Sequence, residues 1–437
     1  MPVSLPLSSA ERLFAVGSGA GDRADFHAAA RQFAQQLPAT GPIVNLCAAR
    51  RSFALTLVAG AICGRPSLLP WSPSANVVRD VAAAHVAAVV VADETLPDLG
   101  ALQCCRAPDP GAITDNTGSA APVTLDPAQV AVVAFTSGST GAPQAHAKTW
   151  GTLAASSQRL AQRVLDGLVA AQLVATVPPQ HVFGLETTIL LPLFSDCACL
   201  DARPLFPADV RAALESVAAP RVLVTTPVHL RALLAADVQL PPLARIVSAT
   251  APLAPPLAAA AEARFAAPVL EIYGSTESGA IASRRTAEDT AWTPLPDVRF
   301  ASVEDGAEVS APYLPQPIRL SDRIECMADG RIRLLGRSAD LIKVAGRRIS
   351  AADLTQRLLA VPGVEDAIVI VPEPDQIDGR PAALVVAPDM DEAAILAALA
   401  TQVDAVFLPR PLRKVAALPR NAVGKLPRSA LLELLRG

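Results

Sequence analysis

A chain of 437 residues is too long for one small domain and points to two or three. With 51% hydrophobic and 18% charged residues it is globular rather than disordered, and with 4% aromatic residues its core must be built mainly from Ala, Val and Leu. A formal charge of −4 leaves no basic footprint for nucleic acid, although phosphate-binding spots can sit inside a mildly acidic protein.

Residues 1–20 lack the charged start and unbroken apolar run of a secretory signal, and no stretch of eighteen clean apolar residues follows. A cytoplasmic protein without a membrane span is the expectation. The cysteines at 47, 63, 104, 105, 197, 199 and 326 show no C-x-x-C spacing, which argues against zinc and for thiols that are mostly buried and reduced.

Short β-branched runs at 88–92, 130–135, 222–226 and 245–248 alternate with segments of helical period at 210–218 and 253–265. That alternation predicts layered α/β subdomains with mostly parallel strands, whose ligands sit at the carboxyl ends of the strands. A Pro- and Gly-punctuated β-rich subdomain follows from 292 to 335, with Asp329-Gly330 as its hairpin turn. From 353 the pattern reads helix, strand (367–371), strand (382–386), helix (392–406) and a basic, proline-rich tail, which suits a small α+β domain. The expected division is therefore 1–337 and 338–437, α/β in overall class.

At the carboxyl end of the 130–135 run stands Thr136-Ser137-Gly138-Ser139-Thr140-Gly141. Glycine backbone approaches a ligand closely, and hydroxyls with bared N–H groups donate to anionic oxygens, so this loop is either a solvated turn or a polyphosphate cradle. It is not a nucleotide-triphosphatase P-loop, because no Gly-Lys-Ser/Thr closes it.

A second strand runs into a glycine turn at Glu271-Ile272-Tyr273-Gly274-Ser275-Thr276-Glu277. A carboxylate beside a phosphate loop repels its ligand unless a divalent cation bridges them, which makes Glu277 a magnesium candidate. Further on come Asp322, Gly336-Arg337, the run from Asp340 through Lys343 to Gly346-Arg347-Arg348, and Pro419-Arg420-Asn421-Ala422-Val423-Gly424-Lys425-Leu426. Only Lys148, Lys343, Lys414 and Lys425 are lysines; the other 33 basic residues are arginine. A lysine kept in such a background suggests a compact point charge following one oxygen.

In this order, from residue 130 to the end, these motifs resemble the adenylate-forming enzymes: acyl- and aryl-CoA synthetases, nonribosomal peptide synthetase adenylation domains and luciferases. The segment from Leu57 to Ala61 leading to Leu69-Pro70 looks like a shortened form of the family's amino-terminal part. The resemblance implies a large amino-terminal domain that holds ATP and a carboxylic acid, and a small mobile carboxy-terminal domain that swings between two half-reactions. An acid, aryl or medium-chain acyl, would be adenylated and then passed to the thiol of CoA or of an acyl carrier protein's phosphopantetheine arm.

On that resemblance the loop Thr136, Ser137, Gly138, Ser139, Thr140 and Gly141 would hold the β- and γ-phosphates. Tyr273, with Gly274, would lie against adenine, Thr276 near the α-phosphate and Glu277 on Mg²⁺; Asp322 and Arg337 would grip the ribose. Lys425 would enter between acid and α-phosphate. His181, in Pro178-Pro179-Gln180-His181, would flank the carboxylate, with an ordinary half-buried histidine as its rival. Ala251 lies in a small-residue turn, 248–253, that resembles the one against which adenine and substrate rest. Gly346, Arg347 and Arg348 resemble the turn facing the thiol channel, and Arg410, Arg413 and Arg420 are available for an acidic partner.

Three departures stand out. Gln144 occupies the place of the family's lysine after the loop, with Lys148 four residues on as a possible substitute; Ala339 stands at the hinge; and Ser321-Asp322 replaces Gly-Asp. They motivate the alternative of a non-catalytic or adenylation-only nucleotide-binding relative, against which Glu277 and Lys425 together argue.

Overall fold

The structure is a computed structural model that describes residues 3–4, 14–15, 23–96, 98–108, 122–136, 144–304, 306–337, 341–344, 347–371, 381–420, 426 and 428–436. The chain divides into two units, Met1–Ala249 with Ala261–Ser283, and Thr250–Ala260 with Arg284–Gly437.

In the first unit, runs of Val, Ile and Leu that bury both faces build two mostly parallel sheets, as such runs should. One has the order Gln103–Arg106, Val89–Ala92, Ile43–Asn45, Ser67–Leu69, Val130–Thr136, Gln144–Thr149. Its three strands at 43–45, 67–69 and 89–92 are buried at every position. All neighbours are parallel except the last, which folds back antiparallel on Val130–Thr136. The expected loop at 136–141 therefore leads from one strand into its antiparallel neighbour. Gln144–Thr149, sequence QAHAKT, is a half-exposed edge strand with no apolar run to announce it.

The other sheet runs Phe14–Ala15, Cys197–Leu200, Ala171–Ala175, Arg221–Thr225, Arg245–Ser248, Val269–Ser275, Gly279–Arg285, with its first six strands parallel. The helix Arg50–Ile62 is buried from Arg50 through Ala61, which explains an apolar sequence all round its circumference. Its first residue ties the helix to this sheet. The Arg50 guanidinium donates through Nη1 to the carbonyls of Leu200, Asp201 and Ala202 (3.2, 3.0 and 2.6 Å) and through Nη2 to those of Ala175 and Val177 (2.7 and 3.0 Å). These carbonyls lie at or just past the carboxyl ends of two parallel strands, where the ladder leaves acceptors open.

In the second unit, Arg299–Val303, Gly306–Ser310 and Ile318–Leu320 form one antiparallel sheet. Asp322–Cys326 pairs with Ile332–Arg337 across the expected turn, where Gly330 takes a φ of +81°. Leu341–Val344 pairs with Arg347–Ser350. Ser350 then caps the helix Ala351–Leu359 by accepting from the Asp353 N–H at 3.0 Å. Asp366–Ile370, Ala382–Val386 and Leu412–Lys414 make a three-stranded sheet. Leu354, Leu358, Val385, Ile395 and Leu399 belong to its buried core.

The helix expected at 392–406 ends at Ala400, and Asp404 starts a separate turn by accepting from the Val406 N–H at 3.3 Å. Cys47, Cys197 and Cys199 are buried, but Cys63, Cys104 and Cys326 are exposed, so fewer thiols are hidden than the composition suggested. Among the described residues no helix is long and apolar enough to cross a membrane.

Candidate active site

The first hairpin sets Thr136 opposite Gln144, Ala134 opposite His146 and Val132 opposite Lys148. Residues 144, 146 and 148 alternate onto one face of their strand. Ser137, Gly138, Ser139, Thr140 and Gly141 lie outside the described residues. Thr136, at the start of that loop, has its Oγ1 3.4 Å from His146 Nε2.

The second hairpin turns between Val269–Ser275 and Gly279–Arg285. Its tip is bonded within itself: the Ser275 N–H donates to Ser278 Oγ and the Ser278 N–H to Ser275 Oγ, both at 3.1 Å. Gly279 takes a φ of +70°, and a Cβ there would stand 2.4 Å from Glu186 Oε1. Only glycine serves at this position.

These two hairpins meet. His146 Nε2 lies 3.8 Å from Glu277 Oε1, and Lys148 Nζ donates to the Glu277 carbonyl at 2.8 Å. Lys148, 6% exposed, is thus engaged inside the protein, at the base of the second turn and not in the phosphate loop. Behind it, Glu186 is 3% exposed and accepts from the Ala280 N–H with both oxygens (3.2 and 3.0 Å) and from Ser156 Oγ at 3.2 Å.

Burial pushes the Lys148 ammonium below its ordinary pKa, against the pull of Glu186 and Glu277. It pushes the Glu186 carboxyl up, against Lys148 and the Ala280 and Ser156 hydrogen bonds. At Glu277 burial also works upward but is outweighed by the Ser275 hydroxyl, backbone donation, His146 and Lys148, so this carboxylate is held below the usual range. Glu277 is consequently an ionised oxygen donor with 40% of its side chain open to solvent. Among the described residues no three His, Cys, Asp or Glu side chains gather into a metal cage. One carboxylate completed by phosphate oxygens and water is the donor set that suits Mg²⁺.

Tyr273 and Thr276 share this hairpin and are half-buried, while Gly274 is exposed. His181, half-buried, precedes the helical turn Val182–Gly184 and the π-helix Leu185–Leu190 on which Glu186 sits. A Cβ at Gly184 would come within 1.9 Å of the Pro178 carbonyl, so the backbone approach after His181 also requires glycine.

In the second unit Asp322 and Arg337 are direct register partners. Ala251 is half-buried and follows Thr250, a β-branched residue at a φ of +79°. Lys425, Ala339 and Gly346 fall outside the described residues, as do the side chains of Arg337, Arg347 and Arg348.

His146, Glu186 and Ser156 escaped sequence reasoning. For Glu186 a signal existed: an acid inside the apolar run from Leu185 to Phe194 must be paired if it is buried.

The AMP-binding enzyme family matches residues 45–311, and the protein belongs to it. Among named relatives, the 4-coumarate–CoA ligase of Rhodobacter capsulatus is 32% identical over 296 residues, 66% of this chain and 73% of its own. That of Cereibacter sphaeroides is 30% identical over 299 residues, 67% and 69% of the two chains. The O-succinylbenzoate coenzyme A synthetase of Bacillus subtilis, solved with AMP, shares the fold at a TM-score of 0.80 and 18% identity, over 97% of this chain and 95% of that one.

Proposed function

We propose that this protein activates a carboxylic acid with ATP and transfers the acyl group to a thiol. Its membership of the AMP-binding family, with an ionised Glu277 held on a braced turn beside the start of the Thr136 loop, carries this reading. In the first step a carboxylate oxygen attacks the α-phosphorus, the bond to pyrophosphate breaks, and acyl-AMP forms. In the second, a thiol sulfur attacks the acyl carbon, AMP departs with the bonding electrons, and the thiol proton is lost.

The chain's own residues divide this work. The loop from Thr136 to Gly141 wraps the β- and γ-phosphates. Tyr273 and Gly274 bound the adenine, the small-residue turn with Ala251 serves adenine and substrate, and Asp322 with Arg337 takes the ribose hydroxyls. Thr276 hydrogen-bonds the α-phosphate and His181 flanks the acid. Glu277 would hold a magnesium ion, which neutralises charge on the phosphate oxygens. Lys425, on a mobile domain at 338–437, stabilises the charge that converges before attack.

The acid is an aryl acid. Two curated relatives are named for 4-coumarate, and His181 with Phe183 places ring-bearing side chains in the segment that flanks the carboxylate. CoA is the first acceptor to test, with a carrier-protein phosphopantetheine arm as the other, in the cytoplasm. Acid-dependent ATP–pyrophosphate exchange across a panel of aryl and fatty acids, followed by CoA against carrier protein, decides it. Exchange with aryl acids alone is expected; exchange only with fatty acids removes the aryl assignment, and none with any acid removes the activity.

A further inference from the structure

The activity does not by itself call for a lysine and a glutamate buried beneath the site. Taking such groups out of water is costly unless each is hydrogen-bonded. Each of the two reaches the same turn from a different side. Lys148, from the edge strand, takes the carbonyl of Glu277 at 2.8 Å. Glu186, from the π-helix, takes the N–H of Ala280, three residues on, with both carboxylate oxygens, and sits where a Cβ on Gly279 would have to be. The Ser275–Ser278 bonds close the tip between these two anchors.

We propose that Lys148 and Glu186 are a positioning pair for the Glu277 turn, holding its carbonyl and its following amide from two different elements so that the carboxylate meets the magnesium–nucleotide in one orientation. Neither touches substrate. The pair fits the use of buried ions as a register device, since a purely apolar pair would pack as well but leave the turn's carbonyl and amide unanswered. Removing an outer-shell partner of this kind typically weakens a metal site 10- to 100-fold.

The inference rests on the adenylation reading, and its test separates the two. Lys148→Met, Glu186→Gln and the double variant are compared with wild type by acid-dependent ATP–pyrophosphate exchange titrated with MgCl₂, by thermal midpoint, and by amide hydrogen exchange of peptides covering 274–280. Each single variant is expected to raise the MgCl₂ concentration for half-maximal exchange about tenfold, with little change in the acid KM, and to deprotect the 274–280 amides. The double variant is expected to add little to either single effect.

A lower thermal midpoint with unchanged MgCl₂ dependence and unchanged 274–280 protection would mean that the pair only stabilises the fold, and overturns the proposal. Glu186→Gln is nearly isosteric and keeps the test open if Lys148→Met does not fold. Wild type without exchange overturns the adenylation reading alone, and amide exchange then decides the positioning role.

Discussion

Arg420 forks onto Asp366, with Nε 2.9 Å from Oδ2 and Nη2 2.7 Å from Oδ1. Both side chains are largely buried, so this arginine is committed within its own unit and is not the free contact for an acidic partner that its position in a basic tail suggested. The fork stands directly ahead of residues 421–425. Just beyond them, Leu426 packs against the cluster of Ile370, Leu384, Leu418 and Leu431. Asp366→Ala is expected to cost about 2 kcal/mol of stability by urea denaturation, the usual scale for a charge-assisted pair. It should also slow exchange about tenfold, because small misplacements of a reacting group are expensive in rate.

Lys425→Ala is expected to lose about 3 kcal/mol of transition-state stabilisation in adenylation, roughly a hundredfold or more in exchange rate. Thioester formation from supplied acyl-AMP should survive. Equal loss of both half-reactions removes the role given to this lysine.

Arg50→Met leaves five carbonyls without the guanidinium that ties the helix to the sheet. Unmet buried acceptors cost about 1–3 kcal/mol each, so a destabilisation of at least about 3 kcal/mol is expected after partial rehydration. Arg50→Lys should recover only part, since an ammonium has three donors and no planar fork. Chemical denaturation of both variants checks the order.

His229 Nδ1 lies 2.8 Å from Thr176 Oγ1, which in turn lies 3.1 Å from Thr225 Oγ1. Burial, and then the charge of Arg203, holds this imidazole below its ordinary pKa of 6.5. As pH falls below that value the unfolded chain takes a proton the folded one resists, so stability present at neutral pH is lost on acidification. His229→Gln is expected to flatten the dependence of the thermal midpoint on pH between about 7 and about 5.5. An unchanged slope rejects the assignment.

Thr250 carries a β-branched side chain at a φ of +79°, a conformation that costs on the order of 1–3 kcal/mol. Thr250→Gly is expected to raise stability by about 1 kcal/mol, the relief exceeding the entropy glycine brings to the unfolded chain. If the strain shapes the turn for nucleotide, the ATP KM rises with the thermal midpoint. A lower midpoint shows that the turn is not strained.

Much of the fold was legible because the central strands are continuous β-branched runs; Val89–Ala92 and Arg245–Ser248 lie within a residue of their expected bounds. Ser350 and Asp391 cap the helices that the pattern placed from 353 and from 392. Gln144–Thr149 was missed because an edge strand with one exposed side need not be apolar, and its ladder partner supplies the order. His146 was missed because it means nothing until its partner is known, and Glu186 because its place in an apolar run says that a buried acid must be paired but not with what.

The sequence alone determined the α/β class and the strand-to-turn pattern, because these depend on periodicity and turn chemistry within a few residues, and the ordered motifs around Thr136, Glu277, Asp322, Arg337 and Lys425 carried the resemblance. Tertiary structure decided which of these meet. It set Asp322 against Arg337 in one ladder, and it brought Lys148 to a carbonyl 129 residues away in sequence. Strand order and packing choose such partners, and no local pattern encodes them. For that reason the lysine that the sequence offered as a possible substitute at the phosphates lies buried, bonded to the Glu277 carbonyl.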